Sequence, residues 1–172
     1  MAKKQHDTPM LDQLESGPWP SFVTGLKRLA TDKDYMVDLM GQLETSYRTR
    51  KGYWKGGTVG VFGYGGGVIP RFTELKDENN KPVFPDAAEF HTLRVQPPAG
   101  MHYDTNLLCL ICVIWVMHGS GLFALHGPSG YLMFQGVTTA NVQPAFDALN
   151  EIGLDLGGAG PAVRTSMSCV GA

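Results

Sequence analysis

The run Asp155-Leu-Gly-Gly-Ala-Gly-Pro-Ala-Val-Arg-Thr-Ser-Met-Ser-Cys169 sets a glycine-rich turn, an arginine and a cysteine in one short stretch. Gly157, Gly158 and Gly160 let the backbone take positive φ or approach a bulky ligand closely. Arg164 presents a rigid fork of donors that matches an oxyanion or a carboxylate. Cys169 offers a thiolate, the usual ligand of an iron–sulfur cluster. Taken alone, such a cysteine reads as a small buried hydrophobe. One thiolate cannot hold a cluster, so the motif is expected to continue past Ala172.

A second glycine run, Gly63-Tyr-Gly-Gly-Gly67, precedes Arg71. It fails as a dinucleotide loop: Val68 stands where the third glycine of G-x-G-x-x-G belongs, and Pro70 interrupts any following helix. A glycine loop that lets the backbone approach a bulky ligand closely is the better reading. Arg94 lies between Leu93 and Val95 in an apolar run. A strand alternates faces, so Arg94 points away from both neighbours, and on pattern alone it is a solvent-facing arginine. The stretch Arg48, Arg50, Lys51, Tyr53, Trp54, Lys55 is either a solvated turn with one anchoring Trp or a contact for an anionic rim. Cys109 and Cys112 form a C-x-x-C, but they sit mid-helix with no second pair, which argues against a zinc or redox site. His91, His102, His118 and His126 lack metal spacing and read as structural. His126 is the one placed for cofactor contact, since it opens the Gly-Pro-Ser-Gly turn.

The elements that must position these groups follow from periodicity. Residues 1–20 are punctuated by Pro9, Pro18 and Pro20 and read as an extended arm with one helical turn, packed on another domain or subunit, or else as a frayed terminus. Ser21 can cap a helix with Phe22, Leu26 and Leu29 on one face. A second helix spans about 34–47, with a Met36, Leu39, Met40, Leu43 stripe. Thr58–Phe62 reads as a short strand, and residues 73–89 as a surface loop or hairpin. From Phe90 the order is β-α-β-β-α-β: strand 90–96, a helix to about His118 capped by Asp104 or Thr105, strands 121–126 and 131–136 joined by Gly127-Pro-Ser-Gly130, a helix at about 140–152 capped by Thr138 or Thr139, and the terminal stretch. The helix 105–118 is apolar all round and is expected to be buried on every side.

Composition limits the function. An apolar fraction of 43% supports a real core, and a net charge of −2 argues against nucleic acid or anionic membrane as the main partner. Three cysteines and no secretory pattern after Met1-Ala-Lys-Lys argue against a disulfide framework and fit a reducing cytoplasm. The 22 glycines cluster at 56–67, 119–136 and 153–171, which suggests tight backbone geometry around something.

Five stretches, read in order, carry a resemblance: Leu-Asp-Gln-Leu-Glu-Ser-Gly-Pro-Trp-Pro-Ser-Phe (11–22), Val-Phe-Gly-Tyr-Gly-Gly-Gly-Val-Ile-Pro-Arg (61–71), Phe-His-Thr-Leu-Arg-Val-Gln-Pro-Pro-Ala-Gly (90–100), His-Gly-Ser-Gly-Leu (118–122) and the terminal run. The chain resembles the N-terminal portion of the alpha subunit of dissimilatory sulfite reductase, in the siroheme and [4Fe–4S] sulfite and nitrite reductase family.

The resemblance implies an α+β fold: an N-terminal arm and helical segment over 1–57, then a ferredoxin-like β-α-β-β-α-β half-domain over 58–172. It implies siroheme and a [4Fe–4S] cluster as cofactors, and reduction of sulfite to sulfide by six electrons. Arg94 and Arg164 are then the catalytic arginines that contact siroheme and the oxyanion. Arg71, Gly65 and Gly66 join them as cofactor-binding residues, and Cys169 is the first cluster ligand. The family's further cluster cysteines and its Lys-x-Lys pair are absent from these 172 residues, so the chain alone is expected to be inactive. The implied partners are a homologous beta subunit in an α2β2 core and a small sulfur-carrier protein, with the membrane reached only through electron donors. Two other readings stay open. The same enzyme can run in reverse in sulfur oxidation, towards which residues 50–57 and 164–171 lean. Or the chain is a non-catalytic, truncated ferredoxin-like binding module. Tyr131 stands where relatives tend to carry Asp or Asn.

Overall fold

Leu93 and Val95 are fully buried, and they fix which face of the sheet lies inside. The computed structural model describes residues 7–16, 22–55, 58–64, 66–71, 76–86, 90–98 and 100–158. In chain order the elements are α1 (Pro9–Glu15), α2 (Phe22–Asp32), α3 (Asp34–Thr49), β1 (Tyr53–Lys55), β2 (Thr58–Gly60), β3 (Val68–Arg71), β4 (Phe90–Val95), α4 (Thr105–His118), β5 (Phe123–His126), β6 (Tyr131–Val137) and α5 (Thr139–Glu151). β1 and β2 pair as a two-stranded ribbon. The other strands form an antiparallel sheet in the order β3-β4-β6-β5. This is an α+β architecture.

Register decides the two faces of that sheet. Leu93 lies opposite Phe134 and Val95 opposite Leu132, and all four are buried against α4 and α5. Ile111, Ile114 and Trp115 come from α4, and Val142, Ala145 and Leu149 from α5. Trp115 stacks on Phe134 with ring centroids 4.3 Å apart, and its indole N–H donates to the Leu122 carbonyl at 2.8 Å. The intervening residues Thr92, Arg94, Met133 and Gln135 point to the opposite face, away from α4 and α5. A bulge at Gly136 (φ 80°) shifts the pairing so that His91 meets Val137, with His91 Nε2 2.9 Å from Thr139 Oγ1.

The chain after Phe90 runs β-α-β-β-α, as expected. In place of a closing strand, the described part of the terminal stretch makes one antiparallel bridge, Val95 to Leu156. β3, which lay outside the expected unit, takes the remainder of that edge. The glycines at 157 and 158 give this segment no side chains with which to extend a ladder.

The first three helices build a second core from Leu11, Val23, Met36, Leu39, Leu43 and Phe62. Within its described residues, 7–16, the arm is therefore helical rather than extended. It forms the two turns of α1 and packs on α3 of its own chain, because the buried Glu44 carboxylate accepts the Met10 and Leu11 N–H groups at 3.1 and 3.0 Å. Two amide donors that a helix leaves unpaired at its first turn are thereby satisfied. Glu44→Ala is expected to cost roughly 1–3 kcal/mol, since it orphans both buried donors. Urea unfolding of the chain reads this, and an unchanged midpoint would mean that α1 is not held there.

In α2 the inward face is Val23, Leu26 and Ala30, while Leu29 is exposed, one position off the expected stripe. Ser21 falls outside the described residues. Asp104 caps α4, its carboxylate accepting the Leu107 N–H at 2.7 Å. Thr138 occupies the cap position of α5 without a side-chain bond. Contrary to expectation, α4 is buried on one face only. Leu110, Val113, Val116 and Met117 stay exposed, and so do Cys109 and Cys112. The apolar character of that outer face is not matched by cover within the described residues. In the 73–89 segment, Asp77 turns the chain by accepting the Asn79 and Lys81 N–H groups, both at 2.9 Å. No helix among the described residues is long and apolar enough to cross a membrane.

Candidate functional site

Arg94 is where the separate motifs meet. Its backbone N–H donates to the Gly67 carbonyl at 2.8 Å, and its carbonyl accepts the Gly157 N–H at 2.7 Å. Two residues on, the Gln96 N–H donates to the Asp155 carbonyl at 2.8 Å. One edge of β4 is thus shared, with β3 along its first half and residues 155–157 along its second. The glycine loop, the strand arginine and the start of the terminal motif are adjacent, as a joint role requires.

Glycine is demanded at two of these contacts. A Cβ on Gly67 would lie 2.5 Å from Leu156 Cβ, and one on Gly157 would lie 1.9 Å from Tyr131 Cε1. The Tyr131 hydroxyl donates to the Gly158 carbonyl at 3.2 Å, so this buried ring is the floor on which 157 and 158 rest. The loop also uses positive φ, 99° at Gly63 and 81° at Gly66.

Arg94 points to the face away from α4 and α5, as alternation requires. Its guanidinium carbon lies 6.0 Å from the Tyr131 ring centroid. Its Nε is buried, with no hydrogen-bond partner among the described residues. A buried cationic donor without an acceptor is costly, and an anion seated on this face would relieve it. Arg71 is on the same face. Its Nε donates to Thr92 Oγ1 at 3.0 Å, and the Thr92 hydroxyl donates to Gln135 Oε1 at 3.0 Å. Thr92 and Arg94 stand two residues apart on one strand, about 7 Å along the same row.

From the basic stretch 48–55, Arg50 is drawn to aromatic rings, while the side chains of Trp54 and Lys55 lie outside the described part. Arg50 ends α3 in the left-handed conformation (φ 58°) and turns inward, 4.5 Å from the Tyr47 ring centroid and 5.2 Å from that of Tyr64. Those ring faces attract the cation and withdraw it from the sheet face. Burial, outweighing the pull of Arg50, pushes the Tyr64 hydroxyl up to about 12. It remains a neutral donor, at 2.8 Å from Gln143 Oε1. His126 Nδ1 sits 2.6 Å from Ser129 Oγ within its own turn.

No family model matches the chain. Among curated proteins it is 59% identical, over 177 aligned residues and 99% of its length, to the dissimilatory-type sulfite reductase alpha subunit of Allochromatium vinosum. It is 46% identical over 186 aligned residues, again 99% of its length, to the alpha subunit of the same name from Nitratidesulfovibrio vulgaris. This chain is a homologue of dissimilatory-type sulfite reductase alpha subunits. It spans about 41% of the length of each of these relatives. The crystal structure of dissimilatory sulfite reductase I aligns with 90% of this chain and 38% of its own, at 39% identity and a TM-score of 0.47, an overlap too loose to argue the fold from.

Of the residues expected to form a sulfite reductase site, the structure brings Arg71, Arg94 and Gly66 to one region. Gly65, Arg164 and Cys169 lie outside the described residues. Sequence reasoning passed over Thr92 and Gln135. The signal for Thr92 was present in Phe-His-Thr-Leu-Arg-Val, since alternation puts residues 92 and 94 on one face. Gln135 could be found only through the register across β4 and β6, which a bulge sets.

Proposed function

We propose that this chain is the siroheme-facing part of a dissimilatory sulfite reductase alpha subunit that reduces sulfite toward sulfide, in complex with a homologous beta subunit in the cytoplasm. The reading is carried by the 59% identity to a curated alpha subunit over 99% of the chain. The face away from α4 and α5 supports it, because the buried Nε of Arg94 has no acceptor among the described residues and an anion there would provide one. In this reading residues 1–57 are an arm and helical segment, although Phe62 still packs in the first core. Residues 58–172 are a ferredoxin-like half-domain whose terminal stretch meets β4 at the Val95–Leu156 bridge.

The residues present fit an anionic tetrapyrrole in charge: Arg71 and Arg94 share one face of the sheet and offer donors to its carboxylates. Siroheme and a [4Fe–4S] cluster, when bound, would relay the six electrons from an external electron donor to sulfite. Arg94 and Arg164 hold the sulfite oxyanion and stabilise charge as it develops on its oxygens. Arg71, Gly65 and Gly66 line the macrocycle, and Cys169 donates a thiolate to the cluster. Oxidation of reduced sulfur through the same pocket is the second reading, favoured by residues 50–57 and 164–171.

The test is an anaerobic absorption spectrum of the native protein, with iron and acid-labile sulfide counted on the same sample. Siroheme bands together with iron–sulfur content are expected. A colourless, iron-free protein would overturn the reading and leave a binding module.

A further inference from the structure

The Thr92 hydroxyl sits between Arg71 and Gln135 on the face assigned above, and this inference rests on that assignment. We propose that Thr92 is a positioning residue that aims the Arg71 guanidinium at the bound macrocycle. A hydroxyl has one proton to give. Here it goes to Gln135 Oε1 at 3.0 Å, which turns the oxygen's acceptor side to Arg71 Nε at 3.0 Å. Nε is the root of a planar fork, so a bond at Nε fixes the plane in which both terminal nitrogens lie. Thr92 is itself fully buried, although it points away from the helices. Its β-branched side chain has little rotamer freedom. It is a rigid support for an arginine at the last residue of β3, where the strand ceases to hold it.

The geometry separates this role from plain packing. Thr92 makes its polar bonds across three strands, from β3 through β4 to β6. Valine would fill the same volume and make neither bond. A merely structural threonine would tolerate that exchange, and an aiming threonine would not.

The experiment uses the full-length enzyme with its partner subunit and compares Thr92→Val, Thr92→Ser and Arg71→Met. Siroheme loss during anaerobic dialysis is followed by absorption, and sulfite KM and kcat are measured alongside. Thr92→Val is expected to speed siroheme loss by about tenfold, the usual cost of removing a residue that orients a ligand-holding group. Thr92→Ser restores the hydroxyl and should return siroheme loss to near the parent rate. In an Arg71→Met background, Thr92→Val should add little, because the arginine it aims is gone. Parental siroheme retention and KM in Thr92→Val would overturn the proposal. So would an undiminished effect of Thr92→Val in the Arg71→Met background. A parent enzyme that holds no siroheme would instead overturn the functional reading, and the proposal with it.

Discussion

Replacing Arg94 with alanine in the full-length, assembled enzyme is expected to lower sulfite turnover by about 10²–10³-fold, the usual cost of removing one preorganised donor to a developing oxyanion. Stability should not fall with it. The two bonds that tie residue 94 to Gly67 and Gly157 are backbone bonds, which alanine keeps. The side chain lies on the face away from α4 and α5, and its Nε is buried with no acceptor among the described residues. An unpaired buried donor costs roughly 1–3 kcal/mol. Removing it should leave the isolated chain as stable as before, or more so. Activity and stability are therefore expected to move in opposite directions, the mark of a group held in place for a ligand. Arg94→Lys keeps the charge but not the fork and should recover turnover only in part. A variant that unfolds at clearly lower urea while turning over sulfite like the parent would make Arg94 a structural residue.

The largest expected effect on stability belongs to Trp115→Ala, at roughly 3–5 kcal/mol. Trp115 is 1% exposed. Its ring stacks on Phe134, and its N–H satisfies the Leu122 carbonyl. It also packs so closely under Gly119 that a Cβ there would lie 2.4 Å from the ring. Alanine would leave a cavity between α4 and the sheet and remove one of the two bonds to that carbonyl, which also accepts the Gln135 N–H. Trp115→Phe refills most of the space and should cost clearly less. Urea unfolding of the chain measures both, and a loss under about 1 kcal/mol for the alanine variant would mean that α4 does not anchor on β6 through this residue.

Periodicity made most of the helices and strands legible. The Met36, Leu39, Met40, Leu43 stripe and the Leu93–Arg94–Val95 alternation both hold, because each element buries one face and sequence spacing records which. The stripe of α2 slipped by one residue, since 22, 26, 29 and 23, 26, 30 both satisfy a 3.6-residue period. The outer face of α4 was misread because an apolar helix is expected to be covered, and nothing in its own spacing says by what. The path of α1 was hidden for another reason. It depends on Glu44, a charged residue in a later helix, which pattern reading assigns to solvent. In the site, Arg94 and the glycine loop could be singled out from residue type. The bonds that join Gly67, Arg94 and Gly157 are backbone to backbone and carry no side-chain signature.

The shared edge of β4 also has a bearing on the order in which the chain folds during synthesis. The β5–β6 hairpin closes over the short Gly127–Gly130 turn, and α4 and β4 lie just upstream, so this part can form from local contacts as it emerges. The segment at Asp155–Gly157 is the last described piece to reach the sheet, and it settles on a strand laid down long before. Until it does, Arg94 has its Gly67 partner but not its Gly157 partner. A nascent chain can thus build the first core and most of the second, which still awaits Leu154 and Leu156, while the corner at Arg94 is open on one side. The corner closes only as the terminal motif is delivered, which couples completion of the site to completion of the segment that carries Arg164 and Cys169.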